Sequence, residues 1–240
     1  MAIHQSRWDA YALTDTQPSS ACRTCVTRPL GHLLCVVSLL ALAVTCQAQT
    51  EDPRAVFDRA VSDFQSGRIA ESVSGFDRLA KLAPDAVPQL WQRGIALYYA
   101  GRYQECREQF ESHRTANPND VENAAWHFLC VARAESPAKA RAALLPVGPD
   151  SRVPMSHIYR MFGGELDPEQ VLKAGGTQPQ GQFYAELYVG LYLEVSGKGE
   201  RALKHIRNAA DDRYSAAGYM HSVARVHRDL AARRLGSTKP

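Results

Sequence analysis

The stretch RGIALYYAGRYQECREQFESHRTANPND, Arg93–Asp120, decides the fold. It has the composition of two short amphipathic helices, yet Gly94 sits inside the first and Gly101 at its end. Glycine in a helix interior costs about 1 kcal/mol relative to alanine, so something outside the helix must account for it. Periodicity supplies that account. Gly67 recurs as Gly101, Arg68 as Arg102, Phe64 as Tyr98, Phe76 as Phe110 and Pro84 as Pro118, always at the same offset.

That period, about 34 residues, and those residue types resemble the tetratricopeptide repeat, a helix–turn–helix unit. In its register Gly94 lies where the first helix of a hairpin meets the second, and a side chain there would push the two apart. Gly101 ends the first helix, where a left-handed backbone suits glycine. Tyr103 and Phe110 fill the space between helices, and Pro118 follows the second helix, where the chain must stop and turn. The expected fold is an all-α tetratricopeptide-repeat solenoid of helical hairpins, with repeats over 53–86, 87–120, a degenerate 121–154, and 183–216.

The first repeat carries Ala60 in place of the first glycine and Ser72 at the small position of the second helix. The third lacks the turn glycine, and Ser136-Pro137 substitutes for it between a helix starting at Ala124 and a second over Ala138–Leu145. Residues 155–182 are an irregular insert: a short helix over Ser156–Phe162 stopped by Gly163-Gly164, then Asp167 as N-cap and proline at N1 opening a helix over Pro168–Ala174, closed by Gly175-Gly176. In the fourth repeat Gly190, Gly197, Ala202 and Ile206 return to register. A last helix over 215–234 carries Tyr219, Val223, Val226 and Leu230 on one stripe and fits the terminal cap that solenoids need. Residues 235–240 read as a disordered tail.

Residues 1–48 read differently. Leu33–Val44 is a 12-residue apolar run preceded by Arg28 and followed by Cys46-Gln47-Ala48. This is the layout of a secretory signal, too short for a bilayer span, which takes about 20 apolar residues. Cleavage is expected after Ala48, and the protein is expected in the periplasm or cell envelope. The polar stretch 1–25 is long for such a signal; a start at Val26 would give ordinary length, and a genuine extension is the other reading. Thr45 before Cys46 is not the small residue of a lipoprotein signal and argues against lipid attachment.

Four of six cysteines lie in that N-terminal segment; Cys22-x-x-Cys25 looks like a redox or zinc half-motif but has no second pair at usable spacing. Cys106 and Cys130 remain. They are expected as small buried hydrophobes on neighbouring helices, although an exported compartment also permits a disulfide between them.

Arg93-Gly94-Ile95-Ala96-Leu97-Tyr98-Tyr99-Ala100-Gly101-Arg102 is similar to the second repeat of the NlpI-type bacterial lipoproteins, as is the later order of Met161-Phe162-Gly163-Gly164 followed by Phe183–Leu193. The resemblance covers about residues 53–230. It implies a homodimeric repeat protein of the cell envelope, an adaptor that brings peptidoglycan hydrolases and a periplasmic protease together. The missing lipobox departs from that family's membrane anchoring.

Catalytic motifs are absent from the sequence. There is no H-E-x-x-H, G-x-S-x-G, Walker loop or G-x-G-x-x-G, and His221 and His227, six apart, point to different helix faces. Cys106 with His113 seven positions on could form a nucleophile pair, but the small position it occupies in the repeat is buried, and burial makes a thiol inert. No enzyme activity, cofactor or metal is expected. Lys+Arg 28 against Asp+Glu 25 is too balanced for a nucleic-acid binder. The basic C-terminal residues Arg225, Arg228, Arg233, Arg234 and Lys239 read as a solvated helix face rather than a contact for an anionic surface.

In tetratricopeptide solenoids five positions of each first helix line the concave side. Here they give Phe57 and Phe64, with Arg54, Val61 and Gln65; then Trp91, Ile95, Tyr98 and Tyr99, with Pro88; then Tyr184, Leu187 and Leu191, with Glu194 and Val195. Rigid aromatics with polar tips are favoured contact residues. A protein or peptide partner is expected on this wall, with packing against the insert or a second copy as the other reading. The expected function is a non-catalytic exported adaptor; the alternatives are a structural, self-associating repeat protein without a free groove, and an enzyme with an unrecognised site.

Overall fold

The computed structural model describes residues 51–237, with side chains to Arg233. Among them every regular element is helical: α1 (Pro53–Gln65), α2 (Ile69–Leu82), a 3-10 turn (Pro84–Gln89), α3 (Trp91–Tyr99), α4 (Tyr103–Ala116), α5 (Val121–Ala134), α6 (Pro137–Ala142), α7 (Met155–Gly163), α8 (Pro168–Ala174), α9 (Pro179–Val195), α10 (Gly199–Ala209), a 3-10 turn (Asp212–Ala217) and α11 (Tyr219–Ser237). The expected signal and its cleavage site lie outside the described residues. The described residues from Ala55 onward form one compact unit.

Three hairpin turns share one local chemistry. Gly67, Gly101 and Gly197 adopt φ of 75–76°, and the residue after each glycine donates its N–H five positions back, as Arg102 does to the Leu97 carbonyl at 3.0 Å. This satisfies a helix-end carbonyl that would otherwise be orphaned. The degenerate hairpin uses other means. Ser136 Oγ accepts from the Lys139 amide at 3.2 Å, with Pro137 at N1. Asp167 and Gln170 form a reciprocal capping box at the start of α8.

Gly94 is explained by its neighbour. A β-carbon there would lie 2.7 Å from the Phe110 ring, so α3 and α4 approach too closely for any side chain. Gly190 repeats the arrangement against Ile206, at 2.8 Å. In the first hairpin the glycine has changed sides: Gly75 on α2 faces Ala60 on α1, where an added β-carbon would meet the Ala60 Cβ at 2.9 Å.

Neighbouring helices pack in chain order, α2 on α3, α3 on α4, α4 on α5 and α5 on α6. The insert then lays α7 against α5 and α8 against α9, while α9 itself reaches back to α5. Phe64, Phe76, Phe110, Trp126, Phe128, Phe162 and Phe183 are buried along this path. Phe110 stacks on Trp126 at 6.4 Å, and Phe162 meets Phe128 at 4.9 Å.

Four expectations are corrected. Cys106 and Cys130 are fully buried on α4 and α5 but are joined as a disulfide, their Cα atoms 5.8 Å apart; the neighbouring helices simply bring the two into bonding range. The second repeat's first helix starts only at Trp91, because Pro84–Gln89 is a 3-10 turn. Pro88 therefore lies in that turn rather than on the helix wall, and its carbonyl takes a hydrogen bond from His113 Nδ1 at 2.7 Å. The fourth repeat's first helix begins four positions early, at Pro179, where proline suits the first turn. The last helix is not continuous from 215: Gly218, at φ 61°, breaks it from the preceding 3-10 turn, and the helix then runs to Ser237, past the expected start of the tail.

Two polar clusters tie the hairpins together. Between the first and second, Asp77 receives Arg93 Nε and Nη2 at 3.2 and 2.8 Å, and Arg102 as well. Burial works to raise the Asp77 pKa, but the Arg102 and Arg93 hydrogen bonds outweigh it and hold the carboxyl below its ordinary value. In the third, Arg152 of the loop between α6 and α7 bridges Asp120, Glu122 and Asp150 at 2.6, 2.5 and 2.5 Å. Tyr188 of α9 donates to Glu122 Oε1 at 2.7 Å. One guanidinium thus serves three carboxylates.

Candidate partner-binding site

α1, α3 and α9 are the first helices of the first, second and fourth hairpins, and α11 lies across all three. Its Tyr219 ring stacks on Phe64 of α1 at 5.5 Å and meets Trp91 of α3 edge-on at 5.1 Å. Two turns further along α11, His227 packs edge-on against Tyr99 of α3 at 5.7 Å, with its Nδ1 3.0 Å from the Tyr99 hydroxyl. His227 Nε2 faces Glu194 Oε2 of α9 at 3.3 Å. The helix therefore joins the beginning of the chain of hairpins to its end.

A polar relay continues into the core. Arg133 of α5 pairs with Glu194 at 2.9 Å, and its Nε donates to the Tyr98 hydroxyl at 3.1 Å. Burial pushes the Tyr98 phenol up to about 12, so it stays protonated. Tyr99 Oη, His227, Glu194, Arg133 and Tyr98 Oη thus form one continuous network at the side of an open cleft of about 770 Å³, which Tyr103, Leu230 and Arg233 also line. An acid, a base and two phenols in contact can orient polar groups of a bound chain. Glu194 and Arg133, already paired, offer one site of each sign.

The other end of the seat is less well satisfied. The Tyr219 hydroxyl is buried without a hydrogen-bond partner, although part of the residue reaches the surface. Burial alone pushes its pKa well above the ordinary phenol value. A buried unpaired hydroxyl costs about 1–3 kcal/mol.

The residues expected on the inner wall separate into three groups. Phe64, Trp91 and Tyr99 come together beneath α11, with Tyr98 packed edge-on beside Tyr99; Phe64 and Tyr98 are buried, while Trp91 and Tyr99 remain partly exposed. Ile95, Leu187 and Leu191 are completely buried and form core rather than open surface. Phe57 meets Phe76 of α2 edge-on at 6.1 Å, and Tyr184, also buried, stacks with Tyr188 at 6.4 Å beside the Arg152 cluster. Helix periodicity put all nine on one face of their helices, but burial depends on what covers each: α11 covers Phe64, Trp91 and Tyr99, whereas Phe57 meets α2 and Tyr184 packs beside Tyr188.

His227 and Arg133 were not among the expected contacts. His227 was legible only as one of two histidines on different faces of the last helix. Both are buried: His221 donates from Nε2 to the Asp211 carbonyl at 3.0 Å, capping the 3-10 turn, while His227 turns inward. No sequence signal marks Arg133, because its partners, Tyr98 and Glu194, come from two other hairpins. The Cys106 thiol is consumed in the disulfide and His113 is bonded to Pro88, so the two form no nucleophile pair.

Among the described residues no group of three His, Cys, Asp or Glu is placed to hold a metal ion. Among them, too, no helix is long and apolar enough to cross a membrane. The chain matches no protein-family model.

Proposed function

We propose that this protein is an exported, non-catalytic scaffold that holds a protein or peptide partner on the aromatic face of α1 and α3. The observation that carries the reading is the seat of α11: Phe64, Trp91 and Tyr99 already receive a helix. An aromatic, partly polar wall of that kind suits helix-in-groove recognition.

The finer architecture belongs to the same proposal. The 34-residue recurrence of Gly67 as Gly101 and the packing of successive helices in chain order support a tetratricopeptide solenoid. Export is supported by the apolar run Leu33–Val44 and by the buried Cys106–Cys130 disulfide, since disulfides persist in oxidising compartments. With the NlpI-type resemblance, this makes envelope enzymes, peptidoglycan hydrolases or a periplasmic protease, the partners to seek.

The test is affinity capture from the native envelope with the wild type and with Trp91→Ala and Tyr99→Ala. The expected outcome is a partner retained by the wild type and lost by both variants at unchanged helicity. Capture that ignores both substitutions rejects the face.

A second reading draws on the same helix. Because α11 covers the aromatics, the wall can be purely structural, and the repeats would then serve self-association, including a homodimer. Solution mass on dilution, with no groove-dependent partner, would favour it.

A further inference from the structure

Three helices end at the open cleft. α3 stops at Tyr99, α5 at Ala134 and α9 at Val195, and Ala100, Gly101, Arg133 and Glu194 beside those ends line it. A helix C-terminus carries partial negative charge and carbonyls without intrahelical partners. Against those ends and the Glu194 carboxylate stand two guanidiniums, Arg133 and Arg233. The lining thus holds both signs with no strong excess of either, and a charged ligand of either sign meets repulsion as well as attraction.

The polar groups are a mixture of donors and acceptors. Arg133 commits Nε to the Tyr98 hydroxyl and Nη2 to Glu194, which leaves Nη1 to donate. The Tyr98 phenol, held protonated, accepts from Arg133 and keeps its own proton to donate. The Glu194 carboxylate only accepts. Beside them lies apolar surface. Tyr99 and Tyr103 flank the Tyr98 ring at 5.3 and 5.7 Å, and both are partly exposed, as is Leu230 of α11. A volume of about 770 Å³ falls within the range of small-molecule sites, and the cleft is open without any movement of the fold.

We propose that this cleft binds a short uncharged oligosaccharide. A sugar hydroxyl donates and accepts at once, so it can bridge Arg133 and Glu194 without bringing charge. The C–H face of a pyranose ring is apolar and lies flat on an aromatic or aliphatic side chain, which Tyr99, Tyr103 and Leu230 supply. Glu194 is the one carboxylate among the lining residues. Glycoside hydrolysis takes a pair of carboxylates, so the site binds and does not cleave. The statement does not rest on the partner face, because Phe64 and Trp91, at the Tyr219 end of α11, do not line the cleft.

The experiment titrates the purified protein with N,N′,N″-triacetylchitotriose and with maltotriose, read by isothermal calorimetry. At least one trisaccharide is expected to saturate the protein, with an affinity that does not fall as ionic strength rises, since a neutral ligand has no charge to screen. Tyr103→Ala is expected to weaken it about tenfold through lost apolar contact, while Tyr103→Phe, which keeps the ring, stays close to wild type. Leu230→Lys, which fills the mouth of the cleft, should abolish binding at unchanged helicity, and Trp91→Ala should leave it intact. Failure of both trisaccharides to saturate below about 10 mM overturns the proposal. So does tighter binding of glutarate or butylammonium than of either sugar, or saccharide binding that ignores both Tyr103→Ala and Leu230→Lys. Should Tyr103→Ala unfold the chain, Leu230→Lys, at a partly exposed position, decides alone. Envelope capture reads the aromatic face and this titration reads the cleft, so either can fail without the other.

Discussion

Gly94 and Phe110 lie so close that no β-carbon fits between them: the added atom would sit 2.7 Å from two ring carbons. The cost of an interior glycine, about 1 kcal/mol, is offset by close packing of α3 on α4. Gly94→Ala is therefore expected to destabilise by about 1–2 kcal/mol, overpacking outweighing the gain in helix propensity. Gly101→Ala meets open space but must hold φ near 76°, and its cost is about 1 kcal/mol. Thermal unfolding checks both, at about 2–4 °C per kcal/mol for a domain of this size.

The Cys106–Cys130 disulfide spans a sequence separation of 24 and ties α4 to α5. Loop-closure entropy gives it a stabilising effect of about 3 kcal/mol. Denaturant unfolding of the double Cys106→Ala, Cys130→Ala variant should show that loss. Because both sulfurs are buried, reductant alone is expected to cleave the bond only at the rate of unfolding, which mass analysis after alkylation reads directly.

Asp77 anchors two arginines from the next hairpin. Asp77→Asn removes the carboxylate that both Arg93 and Arg102 bond, leaving Glu105 as their remaining anion, and is expected to cost about 1 kcal/mol. Asp77 is held below its ordinary pKa, so its contribution is present above about pH 4 and is lost as the pH falls through the folded value. The difference between wild type and variant in urea midpoint should therefore shrink at acid pH.

Glu122 behaves in the opposite sense. Burial, then the neighbouring Asp120 charge, pushes its carboxyl up to about 7, against Arg152 and the Tyr188 hydrogen bond. The folded state then binds a proton that the unfolded state releases near 4.5. The stabilisation is complete below that lower value and is lost as the pH rises through about 7, by about 3 kcal/mol. Asp150 of the same cluster, held low by Arg152 although burial opposes it, works the other way at acid pH. Glu122→Gln should flatten the fall between about pH 5 and about pH 8 in a series of urea midpoints. An unchanged slope would place the proton elsewhere.

Much of the helical outline is legible because its signals are local. Glycines at helix ends, the Asp167-Pro168 start and the Gly163-Gly164 stop act within a turn or two, and the helix ends appear where these place them. Boundaries shift where a local signal is weak or doubled: Pro84 and Pro88 make a 3-10 turn of what reads as a helix start, and Gly218 divides what reads as one helix.

Sequence alone determined which residues share a helix face, and with it that Phe64, Trp91, Tyr98 and Tyr99 would stand together on one side. Tertiary structure decided what meets that side. The stripe of Tyr219, Val223, Val226 and Leu230 shows that α11 must bury one face, but periodicity cannot say against which helices. The Arg133–Glu194–His227 relay, the cysteine pairing and the Arg152 clamp likewise join residues from distant hairpins. Such contacts depend on how the hairpins close upon one another, and no spacing along the chain encodes that closure.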